Sequence, residues 1–296
     1  MKDYTLSQQF ALIGLDGLDA IHPSMAKTMV VRGVAAARLL ETCCLSEGEP
    51  VETTLQTGLK DIAGMNKKEL GCLEEEVREL LEQDGALEKA PDILACDMNY
   101  ATAGVEIMAY RTNADIYTRL AEGIRAEVLE EGPITREAFC LLWLMRESGC
   151  LHDVFSVEEQ TRLNARMVEL SAAVPLYQAI WQAEFHNSLE SLAGNFLRAK
   201  KNLFKNPYME GVNLLFPFLD RRKSIFIDFV VLGTDVKSRR LAVLSYLSEQ
   251  GHYVQEVKYG DETLLKVDNV YYRIFPMTKV CYRIPIQGAN LVPVYL

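Results

Sequence analysis

The closest approach to a catalytic pattern is Asp228, inside the apolar run 225–232, with Glu256-Val257-Lys258 further along the chain. An acid and a Glu-x-Lys pair on adjacent strands can hold a divalent metal, with the lysine activating the attacking water. That geometry would make the chain a metal-dependent, nuclease-like hydrolase. The alternative is plain: Glu256 and Lys258 share one face of a strand and point to solvent. No P-loop, G-x-G-x-x-G, H-E-x-x-H or G-x-S-x-G pattern accompanies them. His22, His152, His186 and His252 lie far apart, and His152-Asp153 reads as a polar pair in a turn. The seven cysteines are scattered without a C-x-x-C step, so they read as buried free thiols rather than a zinc knuckle or disulfide framework. No metal or cofactor is expected.

A second kind of chemistry is anion binding. Arg198, Lys200 and Lys201 close a long helix expected from Pro175 to about residue 204, and Arg221-Arg222-Lys223 follow Phe216 and Phe218. Cations there complement a helix dipole. They also suit a basic, amphipathic anchor on an anionic membrane. Asn206-Pro207, Gly211 and Pro217 break the helix and mark a linker.

The elements that must carry these residues are mostly helical. Residues 133–170 read as a helical hairpin. Thr135 caps an arm that is apolar nearly all round (Phe139 to Met145), and Ser156 with Glu159 forms a capping box for the second. Earlier helices start at Thr5, near residue 24, at Asn66 and at Asn113; Arg32-Gly33 inside the second implies close packing against a neighbour. Residues 46–65 fit a β-hairpin or loop. A short strand is expected after Asp84-Gly85, a winged-helix-like succession. Yet its helix carries Glu74, Glu75, Glu76, Glu79 and Glu82, which repel phosphates, so no nucleic-acid partner is expected. After residue 223 the period changes to strand, helix, then alternating runs, with Leu241, Leu244 and Leu247 inward and Pro293 confining the last run to an edge.

Net charge is −10, unevenly spread: residues 1–174 sum to −14 and the remainder to +4. Either the basic part offers a contact surface or the two parts dock on each other. No basic-then-apolar leader and no long uncharged apolar run is present, so a cytoplasmic, at most peripheral membrane, location is expected.

Four stretches, YTLSQQFALIGLDG, VVRGVAAARLLE, NKKELGCLEEEVRELLEQDGAL and TREAFCLLWLMRESGCLHDVFSVEEQTRLNARMVEL, resemble in order and spacing the Golgi phosphoprotein 3 family over roughly residues 4–172. The resemblance implies a mostly helical domain; eukaryotic members bind phosphatidylinositol 4-phosphate and sort glycosyltransferases. It also implies a phosphate-binding role for Arg32. The family's tryptophan falls near Pro23, beside His22, and its later arginine pair on Gly71 and Glu74.

The expected architecture is mainly α. A helical, Golgi-phosphoprotein-like domain (1–174) is followed by a bridging helix and linker (175–222) and a small α+β domain with an antiparallel meander (223–296). The leading functional expectation is non-enzymatic binding of a phosphoinositide, another anionic headgroup or a protein partner; the metal-dependent hydrolase is the alternative.

Overall fold

The computed structural model describes residues 3–45, 52–104, 106–186, 222–228, 235–258, 264–281 and 283–294. Its first part is helical: α1 (Leu6–Leu15), α2 (Met25–Leu40), α3 (Glu52–Gly64), α4 (Lys67–Gln83), α5 (Met98–Ala103), α6 (Ala114–Leu129), α7 (Arg136–Glu147), α8 (Leu151–Val154), α9 (Val157–Ala173) and α10 (Pro175–Gln182). The expected caps at Thr5, Asn66, Asn113, Thr135 and Ser156 all accept backbone N–H bonds, with full capping boxes at Thr5, Asn66 and Ser156. Leu70, Leu73, Val77 and Leu81 turn the apolar face of α4 inward, leaving its glutamates outside. The first arm of the hairpin, α7, is buried nearly all round, and Trp143 meets Phe185 edge-on at 5.2 Å.

Two expectations in this part fail. Residues 52–64 form a helix, not a hairpin or loop: Leu55, Leu59 and Ile62 fall at helical spacing and are all buried. The long helix from Pro175 stops at Gln182, where Trp143 Nε1 donates to the Ala183 carbonyl at 3.1 Å and turns the chain back over α7. The rest of that expected helix lies outside the described residues.

Strands β1 (Leu87–Pro91) and β2 (Met108–Thr112) pair antiparallel, with Leu87 opposite Thr112, and β2 also bonds on its other side to the segment that follows α1. The second part holds β3 (Ile225–Asp228), α11 (Val236–Glu249), β4 (Val254–Lys258), β5 (Leu264–Val267), β6 (Val270–Cys281) and β7 (Ile284–Val294). These strands form an antiparallel sheet in the order β3-β7-β6-β5-β4. Val243 and Leu247 of α11 pack on it, while Leu241 is 52% exposed, contrary to expectation. Two runs expected as separate strands merge into β6 (Val270–Cys281), which pairs with β7 along its length from Tyr271 to Cys281. Pro293 does not make β7 an edge. β7 lies between β3 and β6, and Pro293 falls beyond Leu291, where pairing with β3 ends. Its missing N–H therefore costs no ladder bond on that side.

The bundle has its own core around Phe10, Phe139, Trp143 and Phe155. The second core, of Ile225, Ile227, Val243, Leu265 and Leu291, also takes in Cys96 from the 3-10 turn Ile93–Cys96 of the first part. The parts thus share apolar contact along a seam. The fold is mainly α with a smaller antiparallel sheet region, and no helix among the described residues is long and apolar enough to cross a membrane.

Candidate functional site

The hydrolase pattern is not assembled. Asp228 ends β3 and Glu256 sits on β4, at opposite edges of the sheet. Four strand spacings of about 4.8 Å separate them by roughly 19 Å, too far to share an ion. Glu256 instead pairs with Arg240 of α11 at 2.6 Å. Among the described residues no group of three or more His, Cys, Asp or Glu is placed to hold a metal.

The expected anion residues are redirected too. Arg32 is buried, and its guanidinium donates to the carbonyls of Ile62 (2.6 Å), Ala63 and Met65 (3.0 Å). It caps the C-terminus of α3, whose last carbonyls lack helical partners. Glu74, at one family arginine position, receives Lys27 at 3.1 Å and the Tyr110 hydroxyl at 2.7 Å. Arg222 and Lys223 are not a basic surface. Arg222 Nε donates to Asp153 Oδ1 at 3.0 Å, and Lys223 Nζ to Asp92 Oδ2 at 3.0 Å. Both carboxylates belong to the helical part, so these pairs carry the docking reading of the charge asymmetry. Arg198, Lys200, Lys201 and Arg221 lie outside the described residues.

What the structure does bring together is a polar seam between bundle and sheet. Asn269, in the β5–β6 turn, sends its amide into the bundle: Nδ2 donates to Asp16 Oδ1 and to the Thr112 carbonyl, each at 2.9 Å. The Thr112 N–H also donates to Asp16 Oδ1 at 2.9 Å. Burial raises the Asp16 carboxyl above its usual range despite these bonds and the nearby Arg222 charge. Asp268, beside Asn269 and at φ 52°, accepts from His252, the Tyr253 N–H and Arg111 Nη1. Burial opposes its charge, but the His252 bond and these neighbours hold its carboxyl below the usual range. Arg222 Nη2 reaches the Tyr117 hydroxyl at 3.3 Å. Burial works against the Arg222 charge too, yet Asp153, Tyr117 and Asp16 together hold the guanidinium firmly protonated.

A cavity of about 170 Å³ opens on this seam. Its walls include Tyr117, Thr118 and Arg125 of α6, Arg222, Lys266 of β5 and Asn269. Arg125 is locked by two bonds to Glu159, at 2.6 and 2.9 Å, and so serves as wall. Lys266 Nζ reaches Thr118 Oγ1 at 3.2 Å and keeps donors to spare. Of the lining residues, Arg222 and Asn269 each hold one buried atom without a hydrogen-bond partner, Nη1 and Oδ1, and neither atom is exposed to the cavity space. Both residues are nine-tenths buried or more, at 6% and 5% exposure. Unpaired groups at that depth are costly.

No protein-family model matches the chain, and no curated protein or solved structure matches it. The site therefore stands on its own geometry. Asn269 escaped the sequence reading because Asp268-Asn269 signals a turn whatever its side chains touch. Tyr117 and Thr118 read only as helix residues. The charge difference between the parts was the one signal pointing to a seam.

Proposed function

We propose that the chain is a non-enzymatic binding protein for an anionic ligand, held in the cavity between the helical bundle and the sheet. The observation that carries this reading is the pair of cationic residues Arg222 and Lys266 in the lining of a 170 Å³ cavity, with Lys266 keeping donors to spare. Lys266 adds donors and Tyr117 a hydroxyl, so the unspent capacity of the walls favours an oxyanion. The resemblance to the Golgi phosphoprotein 3 family agrees with headgroup binding. In this chain, however, the anion would sit beside Lys266 and Arg222 rather than at Arg32, whose guanidinium is spent on carbonyls. A cytoplasmic protein working free or at a membrane surface goes with this reading.

The test has two arms. Calorimetric titration with inorganic phosphate reads the cavity itself, and flotation with neutral vesicles, with or without a phosphoinositide, reads a lipid source. Phosphate binding that is weakened in Lys266→Ala is the expected result. Co-flotation only with the phosphoinositide assigns the anion to a lipid headgroup; phosphate binding without co-flotation assigns it to a soluble ligand. If phosphate does not bind and the vesicles do not co-float, the reading is overturned.

A further inference from the structure

Resting on the assignment of the cavity as an anion site, we infer that its ligand is a zwitterion: the oxyanion sits at Lys266, and an ammonium of the same small head group sits at Glu122. The argument is a charge count over the cavity lining. Five lining residues carry charge: Arg125, Arg222 and Lys266 are cations, Glu122 and Asp153 anions. Arg125 is matched by both carboxylate oxygens of Glu159, and Arg222 Nε by Asp153 Oδ1. Two charges are left without an ionic partner, and they are of opposite sign. Lys266 Nζ bonds a neutral hydroxyl, Thr118 Oγ1 at 3.2 Å, and lies 5.8 Å from the centre of the Tyr271 ring. Glu122 is exposed and makes no hydrogen bond or ion pair among the described residues.

The fold sets the spacing of these two charges. Lys266 stands on β5 opposite Tyr271 of β6, and its ammonium is fixed to Thr118 of α6. Glu122 lies four residues beyond Thr118 on the same helix. Residues four apart share a helix face, about 6 Å from one another. The Lys266 ammonium and the Glu122 carboxylate are therefore about one helical turn apart along one wall, with no ion pair between them. A bare oxyanion at Lys266 would lie within that distance of an uncompensated carboxylate, which repels it. A head group with an oxyanion at one end and an ammonium two carbons away meets opposite charge at both ends. Size permits it, since cavities of roughly 150 Å³ admit a benzene-sized molecule. Such a head group has two sources, a free amino-bearing acid or phosphate ester and the headgroup of an aminophospholipid.

Phosphoethanolamine and ethyl phosphate differ by the ammonium alone and make the test. Their dissociation constants are measured on the intact chain by calorimetric titration at low ionic strength, with inorganic phosphate beside them. Phosphoethanolamine is expected to bind about two- to fivefold tighter than ethyl phosphate, the scale of a solvent-exposed ion pair. Glu122→Gln removes the charge from an exposed helix position and leaves the buried contacts of the seam in place. In that variant the two esters should bind equally, with ethyl phosphate held no more weakly than by the wild-type chain. Flotation with phosphatidylcholine vesicles, with or without phosphatidylethanolamine, separates the sources. Co-flotation only with phosphatidylethanolamine assigns a lipid headgroup; phosphoethanolamine binding without co-flotation assigns a free ligand. Equal affinity of the wild-type chain for the two esters overturns the inference while leaving the anion site intact. A preference that persists undiminished in Glu122→Gln also overturns it. If both esters and inorganic phosphate fail to bind, the anion reading itself falls.

Discussion

Asn269 Nδ2 donates to Asp16 Oδ1 at 2.9 Å, joining residues 253 positions apart in the chain. Through this bond the β5–β6 turn is seated against the end of α1, and the sheet is held to the bundle by a polar contact as well as an apolar one. Asp16 is not a free acid. It organises Asn269 and Thr112, and through them one wall of the cavity.

The Arg222–Asp153 pair is buried on both sides. Breaking such a pair strands a charge, so Arg222→Met or Asp153→Leu alone should destabilise the protein by about 3–5 kcal/mol. The double variant should recover much of that loss. Urea unfolding of the two single variants and the double one gives the cycle; simple additivity would show that the charges do not pair.

Arg32→Lys keeps the charge but loses the fork that spans the carbonyls of Ile62, Ala63 and Met65. A loss of about 1.5–3 kcal/mol in unfolding free energy is expected, with phosphate affinity unchanged. Lost phosphate affinity at unaltered stability would instead return Arg32 to a ligand site.

Gly33 faces α1 so closely that a Cβ there would lie 2.5 Å from Phe10 Cε1 and 2.9 Å from Ser148 Oγ. Phe10 is fully buried and cannot swing away. Gly33→Ala should therefore cost about 1–3 kcal/mol, although alanine is the better helix former. A thermal melt at or above the wild-type midpoint would contradict this packing.

Two acids at the seam should oppose each other in pH. The Asp268 carboxyl lies below its ordinary value of 3.8. Its contribution is complete above that pH and is lost as pH falls through the lowered value. Asp16 lies above 3.8, so the folded state holds its proton more tightly than the unfolded chain. Its contribution favours folding in acid and declines as pH rises from about 3.8 through the raised value. Asp268→Asn should flatten the acid limb of the stability profile, whereas Asp16→Asn should remove the decline on the alkaline side. Denaturant midpoints across pH distinguish them; identical profiles for the two variants would refute the opposed shifts.

Thiol chemistry offers a simpler check. Burial pushes the Cys44 thiol up to about 11 and the Cys96 thiol up to about 12, while Cys72 is exposed on α4. Among these three, only Cys72 should be alkylated rapidly in the native protein, as peptide mass mapping would read. Equal labelling of Cys96 would mean that the sheet-side core is open.

Local order was legible in the residues. Caps at Thr5, Asn66, Asn113, Thr135 and Ser156, apolar spacing in α4 and α9, and the turn at Asp268-Asn269 each act within a few positions, so neighbouring side chains suffice to set them. The 52–64 segment was misread because its threonines and glycines favour no helix by themselves; burial of Leu55, Leu59 and Ile62 against the bundle decides it. Leu241 and Val243 exchanged places for a similar reason, since the sheet selects which face of α11 turns inward.

The chain alone also decided that acid would gather in the first part and base in the second, and hence that the two could attract. Partners were another matter. Asp228 and Glu256 look close on paper and are set apart by strand order, while Asp16 and Asn269 look unrelated and touch. Strand order and seam contacts depend on which apolar surfaces bury each other over the whole molecule. A polar atom's partner follows from that burial, because only when water is excluded does a missing hydrogen bond become costly enough to define a site.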